Sequence, residues 1–384
     1  MLTKSMAAKL SAAVITAAMS TSLVSLFPCF NEQGTSADFV KTKNNSSLDV
    51  SEILAPTLRV SSDSWNGSYL YYGHYDKKPI RFRVLAPSTD KYYDNATIFL
   101  DSDEVLFKSS FDTDSSNVWK DTASYKYSDL YMNLNFQFIY SAFNAPEVDA
   151  IVPSTIEGAD GLDGDKLFIL DSSEIADPQY GYGCDQASDK NGESYWLRSK
   201  GASGNEVASV SNGSLTANDA GSELGVSPAM NIDVNSVLFT SRITGDRYQA
   251  GAEYKLTILD KNLEVKVLSD KEITANGNTI TVPYEIKGRG DSQANQVSIL
   301  ILAEEYDPLN TSDNEILYYD PLNNTHNNGS FDPAGAGTFT LPPKCDINKW
   351  GEDYHVYILA EDINGVHETD FASRPVEITK SMIK

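Results

Sequence analysis

The stretch SYWLRSKG, residues 194–201, decides how the middle of this chain folds. Successive side chains of a strand point to opposite faces, so Tyr195, Leu197 and Ser199 share one side and Trp196 and Arg198 the other. Two readings compete. Trp and Arg are enriched at interaction hot spots, which makes the second face a candidate binding surface. Alternatively Trp196 fills a core and Arg198 lays its stem beside it, the guanidinium fork paired to a buried carboxylate such as Asp129 or Glu174. The second reading is the expectation, because large aromatic side chains are mostly covered in folded domains.

Working outward, EVASVS follows as a second strand, and NGS at residues 212–214 turns the chain through its tolerance of left-handed backbone. GVSPAMNI is a third strand. Upstream, DKLFILDSSE carries a short apolar strand. Before it, Leu130, Leu134 and Phe138 recur at four-residue spacing, a helix with Ser128 or Asp129 placed to cap its first turn. NAPEVDAIV starts a second helix, with Pro146 near its first turn. Further back, Ile80, Phe82 and Val84 alternate with Arg81 and Arg83 after a polar DKK, so residues 69–86 are expected to form a hairpin. A hairpin, two helices and more strands make an α+β domain. From Tyr254 onward the texture is strands only, separated by Asn, Asp, Gly and Pro turns, the pattern of a β-sandwich.

At 384 residues the chain exceeds what one core supports. Its 41% hydrophobic content, with 21 Tyr and 15 Phe, supplies core material despite a formal charge of −24. That charge repels phosphates and argues against a nucleic-acid partner. Lys4 and Lys9 precede the charge-free apolar run 10–27, the layout of a secretory signal peptide with cleavage near Ala37. The protein is therefore expected outside the cell, secreted or at the surface, with no transmembrane span in its mature chain. Cys29 goes with the leader, and Cys184 and Cys345 set no disulfide framework. The expected division is signal peptide 1–37, leader 38–64, α+β domain 65–240, linker 241–253 and sandwich 254–384.

The segments YYGHYDKKPIRFRVLA, DLYMNLN, DKLFILDSSE, YWLRSKG and GVSPAMNI, taken in order, give the first domain a resemblance. It resembles a domain of unknown function common in secreted and surface proteins of Gram-positive bacteria, with a WLRS…GVRPA-type signature. That family is similar to the C-type-lectin-like fold shared with formylglycine-generating enzymes. Through YKLTILD, GTFTLP and YHVYILAED the second domain resembles the immunoglobulin-like module that often follows. The resemblance implies an α+β C-type-lectin-like domain followed by an all-β immunoglobulin-like sandwich. Two departures stand out: Tyr195 and Trp196 replace a usual pair of tryptophans, and Ser227 stands where the family usually has Arg.

Catalysis finds little support. His74, His326, His355 and His367 are scattered outside any zinc-type pair, and no G-x-S-x-G elbow occurs. No catalytic residue is assigned, although a two-carboxylate glycoside hydrolase is a rival that separation in sequence does not test. Asp160, Asp163 and Asp165 lie on a Gly-rich loop of the kind that suits calcium, yet their spacing is not that of an EF-hand and such loops are commonly plain turns; no cofactor is assigned. Tyr71, Tyr72, Tyr92, Tyr93, Tyr180 and Tyr182 fall in or near loops, where aromatic rings stack on sugars or anchor interfaces. The candidate ligand-binding residues are Tyr180, Tyr182, Trp196 and Arg198. The expected function is non-enzymatic recognition of a glycan or of a surface or host protein, with a spacer role in an envelope assembly as the alternative.

Overall fold

Asp76 and Lys77 turn the chain in left-handed backbone, at φ 48° and 63°, and strands Tyr69–Tyr75 and Lys78–Ala86 pair antiparallel across them. The computed structural model describes residues 46–384 except 49, 58–64, 89–95, 114–123, 159, 183–189, 288–292 and 309–313. The expected signal peptide, Cys29, Tyr92, Tyr93 and Cys184 lie outside the described residues. A second turn of the same kind, at Asn212 and Gly213 with φ 49° and 73°, joins strands Glu206–Ser211 and Ser214–Asp219. Both are two-residue turns whose backbone twist matches that of the flanking strands.

The expected α+β C-type-lectin-like domain is corrected by the structure. Strands take up 47% and helices 13%, so the fold is mainly β, built from several sheets. The helical periodicity of residues 128–150 is real but breaks into short pieces. Ser128 caps the first, accepting from Tyr131 N at 3.1 Å. The backbone then turns extended at Phe143 and Asn144, because Asn144 caps the next helix, Ala145–Ala150, in a reciprocal box with Glu147 while Pro146 occupies its first turn. Among the described residues no helix is long and apolar enough to cross a membrane.

The largest sheet, of 13 strands among the described residues, runs through both halves of the chain. Its path passes from Gln296–Leu302 and His355–Asp362 through Asp370–Ala372 to Glu253–Leu259, and on through Tyr69–Tyr75, Lys78–Ala86 and Thr97–Ser102 to Ala229–Asp233. Strand Glu253–Leu259 is the hinge of this arrangement. Along one edge it pairs parallel first with Tyr69–Tyr75, through its residues 253–255, and then with Asp370–Ala372, through its residues 257–259, while Val237–Thr244 pairs antiparallel along the other edge. The C-terminal strands therefore do not close as a separate immunoglobulin-like sandwich. A four-stranded sheet that includes Thr279–Lys287 and Ala334–Thr340 shares a core with them through Ile280, Val282, Ile299 and Val356, but the larger sheet continues into the N-terminal half.

Residues 241–253, read as a linker, fall within the hairpin of Val237–Thr244 and Glu253–Leu259. Residues of the leader are also packed. Ser46–Ser47 pairs with the strand Val237–Thr244, and Val50 and Ile53 enter the N-terminal core. Leu48, Leu238, Phe239, Leu300, Tyr319 and Leu359 form an apolar cluster of their own, drawn from three regions of sequence.

Phe239 is fully buried there, with its ring edge-on to Tyr319 at 5.7 Å. Phe239→Ala is expected to cost about 3–5 kcal/mol by leaving a cavity between the two halves. Urea unfolding followed by tryptophan fluorescence checks this; a loss below about 1 kcal/mol would mean that the halves do not depend on this cluster.

Candidate functional site

Every residue of strand Tyr195–Lys200 except Lys200 is buried, so the strand is covered on both faces. Trp196 donates its indole N–H to Ser109 O at 2.9 Å and meets Phe111 edge-on. Arg198 closes a network. Its Nη1 and Nη2 donate to the two oxygens of Glu174 at 2.6 and 2.9 Å, Nη2 also reaches Asp171 at 3.1 Å, and Nε donates to Asp160 O at 2.9 Å. Glu174 is held by the cap of its own short helix, Ser172–Ala176, accepting from Asp171 N at 2.8 Å. Burial pushes its carboxyl above the ordinary carboxylate value against the pull of Arg198. Of the two partners expected for Arg198, Glu174 forks it; Asp129 accepts from Thr113 N at 3.0 Å and from its hydroxyl.

The four candidate ligand-binding residues are corrected on exposure: Tyr180 is 2% exposed, Tyr182 and Trp196 0%, and Arg198 1%. None offers a face to a ligand. Tyr72, another ring assigned to a loop, is fully buried and donates to Glu147 O at 2.9 Å. The carboxylates proposed for calcium diverge. Asp163 pairs with Lys126, Asp165 accepts from Asp163 N at 3.1 Å, and Asp160 accepts from Lys200 N at 3.2 Å. Among the described residues no group of side chains gathers in a metal-ligand arrangement.

A second buried network was missed. Lys190, in the polar run ASDKNGES, reads as loop, yet its side chain is 0% exposed and its ion-pair partner Asp101 1%. The ammonium also donates to Ser102 O at 2.7 Å and to Ser227 Oγ at 2.5 Å, under the rings of Tyr195 and Tyr182. Tyr182 and Ser227 each donate to Asp101. Burial drives the Lys190 amine down to about 8 against the pull of Asp101. Nothing in the residues around Lys190 signals this, because its partner Asp101 lies 89 positions away.

The open surface lies elsewhere. The helical segment runs through Asp129–Asn133, a π-helical turn over Leu134–Phe138 and Ile139–Ala142. Leu130, Leu134, Phe138 and Ile139 point inward, while Met132, Phe136 and Tyr140 are exposed by 49, 59 and 70% at four-residue intervals. Tyr140 lines a groove of about 750 Å³ together with His74, Phe143, Asn144, Glu147, Asp149 and Lys166. Glu147 is committed within its wall. It accepts from Thr369 Oγ1 at 2.6 Å, Asn144 N at 3.0 Å and Gly73 N at 3.1 Å, while burial raises its carboxyl above the ordinary value. Lys166 donates to Val148 O, and burial lowers its amine. From Leu130 to Pro146 the sequence holds no charged residue.

A family model described as a domain of unknown function, DUF6273, matches residues 95–234. Among solved structures, a DUF3823 family protein from Bacteroides ovatus is similar at 13% identity, covering 42% of this chain and 81% of its own, with a TM-score of 0.18. A candidate carbohydrate-binding protein from Bacteroides uniformis is similar at 12% identity, covering 48% of this chain and 97% of its own, also with a TM-score of 0.18. No curated protein sequence matches the chain.

Removing one partner of a buried pair strands the other charge. Arg198→Ala is therefore expected to lose about 3–5 kcal/mol of stability, and Arg198→Lys, which keeps the charge but not the fork, an intermediate amount. Denaturant titration of both variants checks this; equal stability of wild type and Arg198→Ala would refute a scaffolding role.

Proposed function

We propose that this is a secreted or surface-displayed recognition protein that binds a neutral glycan along the exposed helical face and the groove beside it. The carrying observation is the juxtaposition of an aromatic stripe with a charge-free stretch. In a chain of net charge −24, the exposed side chains Met132, Phe136, Gln137, Tyr140, Ser141 and Asn144 bear no formal charge. Aromatic rings present apolar faces to the C–H faces of sugars, and amides and hydroxyls both donate to and accept from sugar hydroxyls. A face without charge neither attracts nor repels ions, so it suits a neutral ligand. The apolar, charge-free run 10–27 behind Lys4 and Lys9 supports export.

Binding rather than turnover is favoured by the state of the two acids that line the groove, of which Asp149 is ion-paired with Lys261. A glycosidase needs a carboxyl free to exchange a proton with the leaving group, and both oxygens of Glu147 are occupied by donors from the protein itself.

Full-length protein is titrated with soluble neutral polysaccharides, glucans, mannans and galactans, by calorimetry. Saturable binding is expected that barely changes with salt, with Tyr140→Ala and Phe136→Ala each weakening it about tenfold at unchanged melting temperature. Binding confined to anionic polymers and lost in salt, or capture only of proteins, overturns the neutral-glycan reading. Saturable binding of none leaves the spacer role. Release of reducing sugar would establish the hydrolase instead.

A further inference from the structure

Lys190 and Asp101 are separated by 89 positions in sequence and meet in the interior. The amine and the carboxyl are in contact, with side chains 0 and 1% exposed, and the lysine amine lies 5.0 Å from the Tyr195 ring centre and 5.7 Å from that of Tyr182. The carboxyl is dressed asymmetrically. Oδ2, the oxygen touching the amine, accepts from the Tyr182 hydroxyl, and Oδ1 accepts from the Ser227 hydroxyl at 3.0 Å.

We propose that Lys190 and Asp101 condense to an intramolecular amide, joining strand Thr97–Ser102 covalently to the segment that leads into strand Tyr195–Lys200. The Lys190 nitrogen attacks Cγ of Asp101, the Nζ–Cγ bond forms, and the Cγ–Oδ2 bond breaks. An ammonium and a carboxylate together hold the two protons that leave with Oδ2 as water, so no oxidant, reductant or co-reactant is required. Each neighbour has a place in the step. The Tyr182 hydroxyl lies on the leaving oxygen and relays a proton to it, and the Ser227 hydroxyl lies on the oxygen where negative charge develops.

Two physical terms favour the step. Amide formation from free acid and amine in water is held back by their ionisation and by the need to bring them together. Held contact supplies effective concentrations on the order of 10⁵ M and above. Burial removes the solvation that rewards the ion pair, and the neutral amide carries no such penalty. Burial first, and then the charge of Arg83, favour the unprotonated amine against the pull of Asp101 and Asp103.

Electrospray mass measurement of the purified full chain, denatured and reduced, tests this directly. The expected mass is one water below that of the sequence from its measured N-terminus, and trypsin is expected to leave Lys190 uncut within a branched peptide containing Asp101. Lys190→Met and Asp101→Ala are expected to restore the full sequence mass. Tyr182→Phe is expected to slow the appearance of the lighter species after refolding, which a purely structural tyrosine would not do. A wild-type chain of full sequence mass, cleaved by trypsin after Lys190, overturns the proposal whether or not any variant folds.

Discussion

Carboxylates placed inside a protein need cations or hydrogen-bond donors beside them, and that constraint organises this structure. Acidic residues outnumber basic ones 54 to 30. Even so, Asp101 is given Lys190, Asp103 takes Arg81 and Arg83, and Glu174 takes Arg198. Glu52 takes Arg242 and Arg247, and Asp370 takes Lys255. Some join neighbouring strands of one sheet, as Lys255 and Asp370 do, and others tie a loop or short helix to a strand, as Lys190 does with Asp101 and Glu174 with Arg198. An uncompensated buried charge is expensive, so these pairings specify which strands are neighbours even where they add little net stability. The cost falls on the surface. Cations drawn inward leave the exterior more acidic, and a charge-free face is then conspicuous against it.

What could be read from sequence was what is local. The turns at Asp76–Lys77 and Asn212–Gly213, the Ser128 cap and the Asn144–Glu147 box are set within a few residues, and each signal sits beside the structure it makes. The need of Arg198 for a buried carboxylate was also legible, because an arginine in a strand beside Trp196 and Leu197 needs a counter-charge, but the choice between Asp129 and Glu174 was not. Lys190 was not legible. Its neighbours Asp189, Asn191 and Gly192 spell a turn, and only a partner 89 positions away shows that its side chain is interior. The same limit explains the misread architecture. The strand at Glu253–Leu259 has the alternation of any strand, and nothing in its own residues says that one of its edges pairs parallel with strands of both expected domains and so joins them in one sheet. The aromatic stripe was overlooked for a different reason. Reading Leu130, Leu134 and Phe138 as the buried face left Met132, Phe136 and Tyr140 unremarked on the opposite one.

The π-helical turn over Leu134–Phe138 accounts for that stripe's geometry. In a regular α-helix four residues turn the chain about 40° past a full revolution, so side chains four apart drift around the axis. A wider turn in the middle takes that drift back, and the three exposed side chains stay in line. π-turns cost hydrogen-bond geometry and are found mostly where function rewards them. Here the core gains too. Asn135, within the widened turn, accepts from Leu167 N at 3.1 Å and donates to Leu167 O at 2.8 Å, tying the helix to the neighbouring strand-like segment. The inner side of the turn is thus pinned by an amide, which leaves the outer side free to present Phe136. A rigid backbone under exposed rings lowers the entropy lost when a ligand is bound, which is what the proposed glycan site requires of so small an aromatic face.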